Sequence, residues 1–313
     1  MARSNPIRPG APVLLALIVS GLLGATCGGL GFARQSTFDS PAAASEALLE
    51  AVEAHDPDAL MAVLGPEYRD EIVTSDWDAA HASNLEFAEA ARASLFFEEQ
   101  DDGSTELVIG ERQWPFPIHL VQEGGRWRFD TASGINEILD RRIGRNELVA
   151  IAIARAYRDA QIQYARRDRD GDDILEYAQK LVSSPGERDG LYWEREAGEP
   201  RSPFGSLIES SRAYLETKQT GDAVRGYHFR ILTRQGPNAP GGRYDYVVGR
   251  RMISGFGLVA HPEAYGNTGI MTFVTNHLGR VYQKDLGAID DLSEFDPDDT
   301  WEVVEPDPGA AGN

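Results

Sequence analysis

The chain has a single cysteine, Cys27, in 313 residues. The body of the protein therefore has no disulfide, no thiol nucleophile and no thiolate metal ligand. Positive charge is also scarce. Thirty Lys and Arg stand against 50 Asp and Glu, giving a net charge of −20. A nucleic-acid partner needs a concentrated basic face. The clusters available, Arg141-Arg142-Arg145 and Arg166-Arg167-Arg169, are short and mixed with Asp, which argues against nucleic-acid binding and against adhesion to anionic lipid. The acidity reads as solubility outside the cell. Catalytic motifs are missing too. There is no Gly-x-Ser-x-Gly elbow outside the leader and no Ser-x-x-Lys motif. None of the six histidines is paired as His-x-x-x-His, and no Gly-Lys-Ser/Thr phosphate loop is present.

Apolar content of 42%, with 12 Phe, 11 Tyr and 5 Trp, is enough for a packed core. The N-terminus has the form of a targeting segment. Arg3 and Arg8 precede an apolar run, Ala11 to Ala25, and small residues lead to Gly31-Phe32-Ala33. The run is short of the ~20 residues that span a bilayer, so export through a cleaved signal peptide (residues 1–33) is expected over a permanent anchor. Cys27 lies where a lipoprotein's acylated cysteine would lie, which leaves an N-terminal lipid anchor as the alternative.

Helices come first. Ser40-Pro41 makes an N-cap and first turn, and Ala44, Ala47, Leu48, Ala51 and Val52 follow at helical spacing. Asp56-Pro57 starts a second helix, ended by Gly65-Pro66, and helix is expected over 67–93. Short strands follow at 106–110, within 113–122 and at 126–129, the last pair joined by Gly124-Gly125. Helices followed by an antiparallel sheet resemble, in element order only, the cystatin-like or nuclear-transport-factor-like cone. A connector helix over 135–143 is expected to stop at Gly144. A long central helix is then expected to start at Asn146, with Leu148 to Ala154, apolar throughout, covered on all sides. A short helix is expected over 208–217. Strands within 227–284 read as an antiparallel meander, and the segment from 290 as an acidic, loosely held tail apart from Trp301.

The fold class expected is therefore α+β. Residues 37–143 form an N-terminal helix-plus-sheet lobe, residues 144–287 the central helix and C-terminal antiparallel sheet, and residues 288–313 an acidic tail.

One compact cluster suggests an ion site. Asp168, Asp170 and Asp172 alternate around Gly171, with Glu176 beyond, and could offer hard oxygens to calcium. Gly171 and the distant Glu do not fit the EF-hand register. The competing reading is a solvated turn that ends the central helix. Gly255-Phe256-Gly257-Leu258-Val259-Ala260 matches a dinucleotide fingerprint in letters only, because no helix follows it. Its glycines read as places where two layers approach closely. Tyr227, Phe229, Tyr244, Tyr246, Phe256 and Phe273 read as core before groove.

Several longer stretches are familiar together: 114–118, 125–131, Arg141 to Leu148, Asp168 to Asp172 with Leu175-Glu176-Tyr177-Ala178, Asp189 to Trp193, Gly241 to Val248, Gly266-Asn267, and Val281 to Gly287. They resemble the bacterial exported family called domain of unknown function 2950, over about residues 37–304. The resemblance implies an envelope or secreted location and no assigned activity. The chain departs from the family's pattern at Asp173, where the family's acidic loop usually has glycine. The expectation is a non-catalytic exported protein, periplasmic or extracellular, that binds an envelope protein or glycan. The alternatives are a carboxylate-based hydrolase of envelope polymers and a calcium-stabilised structural protein.

Overall fold

A computed structural model describes residues 34–73, 77, 80–194, 201–205, 223–289 and 291–305. The expected signal peptide with Cys27, and the helix expected over 208–217, lie outside these residues. The class is α+β, and the chain divides between Arg141 and Arg142 into two compact units.

In the N-terminal unit, α1 (Pro41–Glu53) and α2 (Pro57–Leu64) begin as their capping residues dictate. The Ser40 side chain accepts from the Ala43 N–H at 3.1 Å, and the Asp56 side chain accepts from the N–H groups of Asp58 and Ala59 at 2.9 and 3.0 Å. Helix over 67–93 is discontinuous. A 3₁₀ turn (Pro66–Tyr68) and α3 (Arg69–Ile72) precede α4 (His81–Ala93). The sheet is antiparallel in the order β1 (Leu95–Glu99), β2 (Thr105–Ile109), β4 (Leu120–Glu123), β5 (Arg126–Phe129), with β3 (Trp114–Pro115) also paired to β2. Strand β1 escaped the sequence reading because Leu95-Phe96-Phe97-Glu98-Glu99 has no period-two alternation, and the strand is an exposed edge. Leu48, Val52, Leu60, Phe87, Leu107, Leu120 and Phe129 form the core between helices and sheet.

The central helix differs from expectation. Helix α5 runs unbroken from Thr131 to Tyr164, through Gly144. A mid-helix glycine costs only about 1 kcal/mol relative to alanine, which the long helix absorbs. Asn146 is no cap; its amide donates to the Thr268 carbonyl at 2.9 Å. The stretch 148–154 is not covered all round. Leu148 is 52% exposed, and burial follows one stripe, Ala150, Ala154, Tyr157, Ala160 and Tyr164, at three- and four-residue spacing. Small alanines supply much of the apolar run, so it reads as more buried than it is.

In the C-terminal unit a five-stranded antiparallel sheet has the order β14 (Glu302–Val303), β13 (Val281–Asp285), β12 (Met271–Asn276), β11 (Gly257–Pro262), β6 (Tyr227–Leu232). One face, with Tyr227, Leu258, Ala260 and Phe273, packs in the cluster that holds Tyr157 of α5. The other face carries a smaller cluster of Leu232, Val259, Val274 and Phe295. Two ribbons accompany the sheet: β7 (Arg234–Gln235) with β8 (Tyr244–Asp245), and β9 (Val247–Val248) with β10 (Arg251–Met252). The expected loose tail is corrected. Phe295 is buried, Asp296 accepts from the Asn238 N–H at 2.7 Å, and β14 pairs with β13. The aromatic anchors outweigh the segment's acidity. Gly255 has φ +150, and a Cβ there would meet Tyr246 at 2.8 Å and His277 at 2.9 Å, so this glycine of the false fingerprint marks close packing.

Candidate functional site

The acidic loop begins where α5 ends. Two side chains fix its frame. Gln161 is fully buried; its amide nitrogen donates to the Ala178 carbonyl at 2.8 Å and to the Tyr157 hydroxyl at 2.9 Å, and its oxygen accepts the Ala178 N–H at 2.8 Å. The chain leaving the loop is thus tied to the helix entering it. Arg169 lies over the Tyr164 ring at 4.4 Å and near the Trp193 ring at 5.1 Å. Its guanidinium is anchored on aromatic faces while the aspartates on either side face one another.

Asp168, Asp170 and Asp172 come together. One carboxylate oxygen from each lies within 4.8 Å of the others. Asp168 organises the turn. Its Oδ1 accepts from the N–H groups of Gly171 at 2.8 Å and Asp170 at 3.2 Å, and its Oδ2 accepts from the Asp173 N–H at 2.9 Å. The Asp173 and Gly171 N–H groups hold the Asp168 carboxyl below its ordinary range. Asp172 accepts from the Ile174 N–H at 2.9 Å, and its other oxygen takes Nε of Arg251 at 2.6 Å and the Arg251 Nη2. Arg251 sits on β10, and the adjacent Met252 bridges Tyr177. Glu176 is not in the tight cluster. Its carboxyl is pushed up by burial first, then by the charges of Asp170 and Asp172.

The loop's register is closer to a calcium loop than the sequence suggested. Counting Asp168 as position one, the aspartates hold positions one, three and five, and Asp173 holds position six, where an EF-hand has glycine. Asp173 has φ +63, the left-handed conformation that this position demands. The register is hidden in the sequence because the glycine it needs has been replaced, while Gly171 stands at a position that needs none. Position twelve is Gln179, whose amide donates to the Arg250 carbonyl at 2.8 Å and supplies no carboxylate. The donors are hard oxygens, which fit calcium, but they are fewer than a full EF-hand offers.

A second array was missed by sequence reasoning. His119 lies between Ser104, whose Oγ is 3.2 Å from Nδ1, and Glu106, whose Oε1 is 3.3 Å from Nε2. The Glu106 carboxylate raises the His119 pKa above its ordinary value. Thr105 pairs with Leu120 across β2 and β4, so Glu106 and His119 are cross-strand neighbours; only the register reveals them. The order hydroxyl, imidazole, carboxylate resembles a nucleophile relay. The backbone donors beside Ser104 are already used: its own N–H by Asp102 at 2.9 Å and that of Gly103 by the Gln100 carbonyl at 3.0 Å. Neither is available to hold a developing oxyanion, so the array ties the β1–β2 turn to β4.

The aromatics divide as expected for core. Tyr227, Tyr246, Phe256 and Phe273 are buried, and Phe229 and Tyr244 are partly buried against the same cluster. A groove of about 260 Å³ lies on the other face of the C-terminal sheet, lined by Val274, Leu286, Leu292 and Trp301 with Glu294 and Asp296. Both carboxylates are engaged: Glu294 with Arg234 at 3.6 Å and Arg243 at 3.5 Å, Asp296 with Asn238. No helix among the described residues is long and apolar enough to cross a membrane.

No curated protein and no solved structure matches the chain. The model of a family described as protein of unknown function (DUF2950) matches residues 35–304, from just before α1 to just after β14. The chain belongs to that family, as its motifs implied.

Proposed function

We propose that this is an exported, non-catalytic protein of the cell envelope that binds a partner or ligand, and that calcium in the loop 168–176 stabilises its C-terminal unit. Export rests on the leader-like N-terminus, with Cys27 as a point of lipid attachment if the leader is acylated. One observation carries the calcium reading: three aspartate carboxylates converge within 4.8 Å on a turn already shaped by the Asp168 side chain and the left-handed Asp173. Asp168, Asp170 and Asp172 would be the first ligands, with Glu176 reaching the ion directly or through water. Without a carboxylate at position twelve, the affinity belongs to the range of extracellular calcium modules, about 10⁻⁴–10⁻³ M.

The test is thermal. Millimolar calcium raises the melting temperature of the protein, and the double substitution Asp170→Ala and Asp172→Ala removes the increase. No shift in the unaltered protein would refute the calcium reading. The binding reading is tested separately by crosslinking in the native envelope, where recovery of one specific protein or glycan supports it and recovery of none counts against it.

A further inference from the structure

We propose that the N-terminal unit holds a transition-metal site independent of the acidic loop, with His55 and His81 as its nitrogen ligands and Asn84 and Trp77 as its outer partners. The two imidazoles are far apart in sequence but nearly touch, with ring centroids 4.1 Å apart and planes tilted by 58°. Trp77 stacks on His55 at 4.9 Å and 13°. His55 lies in the turn between α1 and α2 at φ +52, just beyond the C-cap of α1, in a left-handed conformation for which histidine is enriched among non-glycine residues. Its N–H donates to the Val52 carbonyl at 3.1 Å, and the next residue caps α2. His81 opens α4, and Asn84 follows three positions later on the same helix face.

The second observation concerns unmet hydrogen-bonding capacity. Asn84 is 1% exposed, and neither its Oδ1 nor its Nδ2 has a hydrogen-bond partner among the described residues. The buried Nδ1 of His81 and Nε1 of Trp77 have none among them either. A buried amide with both ends unmatched is uncommon, because buried polar groups are nearly always satisfied. Here the four unmatched atoms belong to His81 itself, to Trp77, which stacks on His55, and to Asn84, one turn beyond His81 on α4. They also form a matched set. His81 offers a lone pair, as a metal ligand must, while the indole N–H and the amide N–H are donors suited to a water or anion completing the metal's coordination.

The donor chemistry selects the ion. Imidazole nitrogen suits Zn²⁺, Ni²⁺ or Cu²⁺, whereas calcium takes oxygen. The site thus has a different ligand from the acidic loop, and either can fail without the other.

The probes are Zn²⁺ and Co²⁺, added to the protein as it is exported. Calorimetry should show one equivalent of Zn²⁺ bound, and Co²⁺ should develop visible ligand-field bands. His55→Asn tolerates the left-handed turn, and His81→Gln keeps a polar side chain at the start of α4; each should abolish both signals. Trp77→Phe removes the indole N–H while keeping a smaller aromatic ring beside His55, and should weaken Zn²⁺ about tenfold. The Asp170→Ala and Asp172→Ala double variant should bind Zn²⁺ as before. One readout needs no variant: Zn²⁺ should shift the imidazole resonances of His55 and His81, leaving His228 and His261 unmoved. Absence of Zn²⁺ binding, binding unchanged by His81→Gln, or shifts confined to the other histidines would overturn the proposal.

Discussion

The acidic loop and the histidine pair are opposite designs. The loop is local, charged and internally satisfied: Asp168 and Asp172 already accept backbone N–H groups, and Arg251 holds one Asp172 oxygen. The histidine site joins residues from separate segments, offers nitrogen, and keeps polar atoms unmatched among the described residues. A set of carboxylates can use its own backbone to hold its shape before an ion arrives. Neutral donors buried beside apolar helices have no such recourse, and their unmatched atoms are the mark they leave.

The largest effect that would sharpen this contrast comes from Gln161→Leu. The change preserves shape but strands the Ala178 N–H and carbonyl, each costing about 1–3 kcal/mol when buried and unpaired. Chemical denaturation should show a loss of about 3 kcal/mol, and the calcium response should fall with it because the loop's exit is no longer tied down. A loss within error of zero would mean that the loop is held by something else.

Arg251→Ala comes next. Removing the cation beside Asp172 should strengthen calcium binding roughly fivefold, since one of three converging carboxylates loses its competitor. Weaker binding would show that Arg251 positions Asp172 more than it neutralises it.

The two units should also respond oppositely to pH. His119 has its pKa raised by Glu106, so its contribution is complete below the ordinary imidazole value of 6.5 and is lost as pH rises through the elevated one. Asp168 has its pKa lowered, so its contribution is present above the ordinary value of 3.8 and is lost as pH falls through the depressed one. Melting temperature against pH should decline at both ends, and His119→Gln should flatten the alkaline limb alone.

The smallest effect is expected from Asp173→Gly. It relieves a left-handed aspartate, a gain of up to about 1 kcal/mol, offset in part by the freer unfolded chain. A clear loss of stability would mean that the Asp173 side chain makes a contribution of its own.

The same contrast explains what the sequence could reveal. Caps at Ser40 and Asp56, the Gly124-Gly125 turn and the alternating strands from Tyr227 onward were legible because each depends on neighbours in the chain. The aspartates were legible for that reason too. The unbroken passage of α5 through Gly144 was not, because helix length outweighed a local breaker. Nor was the anchoring of Phe295, which depends on tertiary contacts. The Ser104, Glu106 and His119 array needs the β2–β4 register, and the meeting of His55 with His81 needs the packing of α1 and α4.

The most direct test of the calcium reading is calorimetric titration of the protein with calcium at low ionic strength, beside the Asp170→Ala and Asp172→Ala double variant. One saturable event of millimolar or tighter affinity in the unaltered protein, absent from the variant, is the predicted result. No heat of binding, or the same isotherm from both proteins, would contradict it.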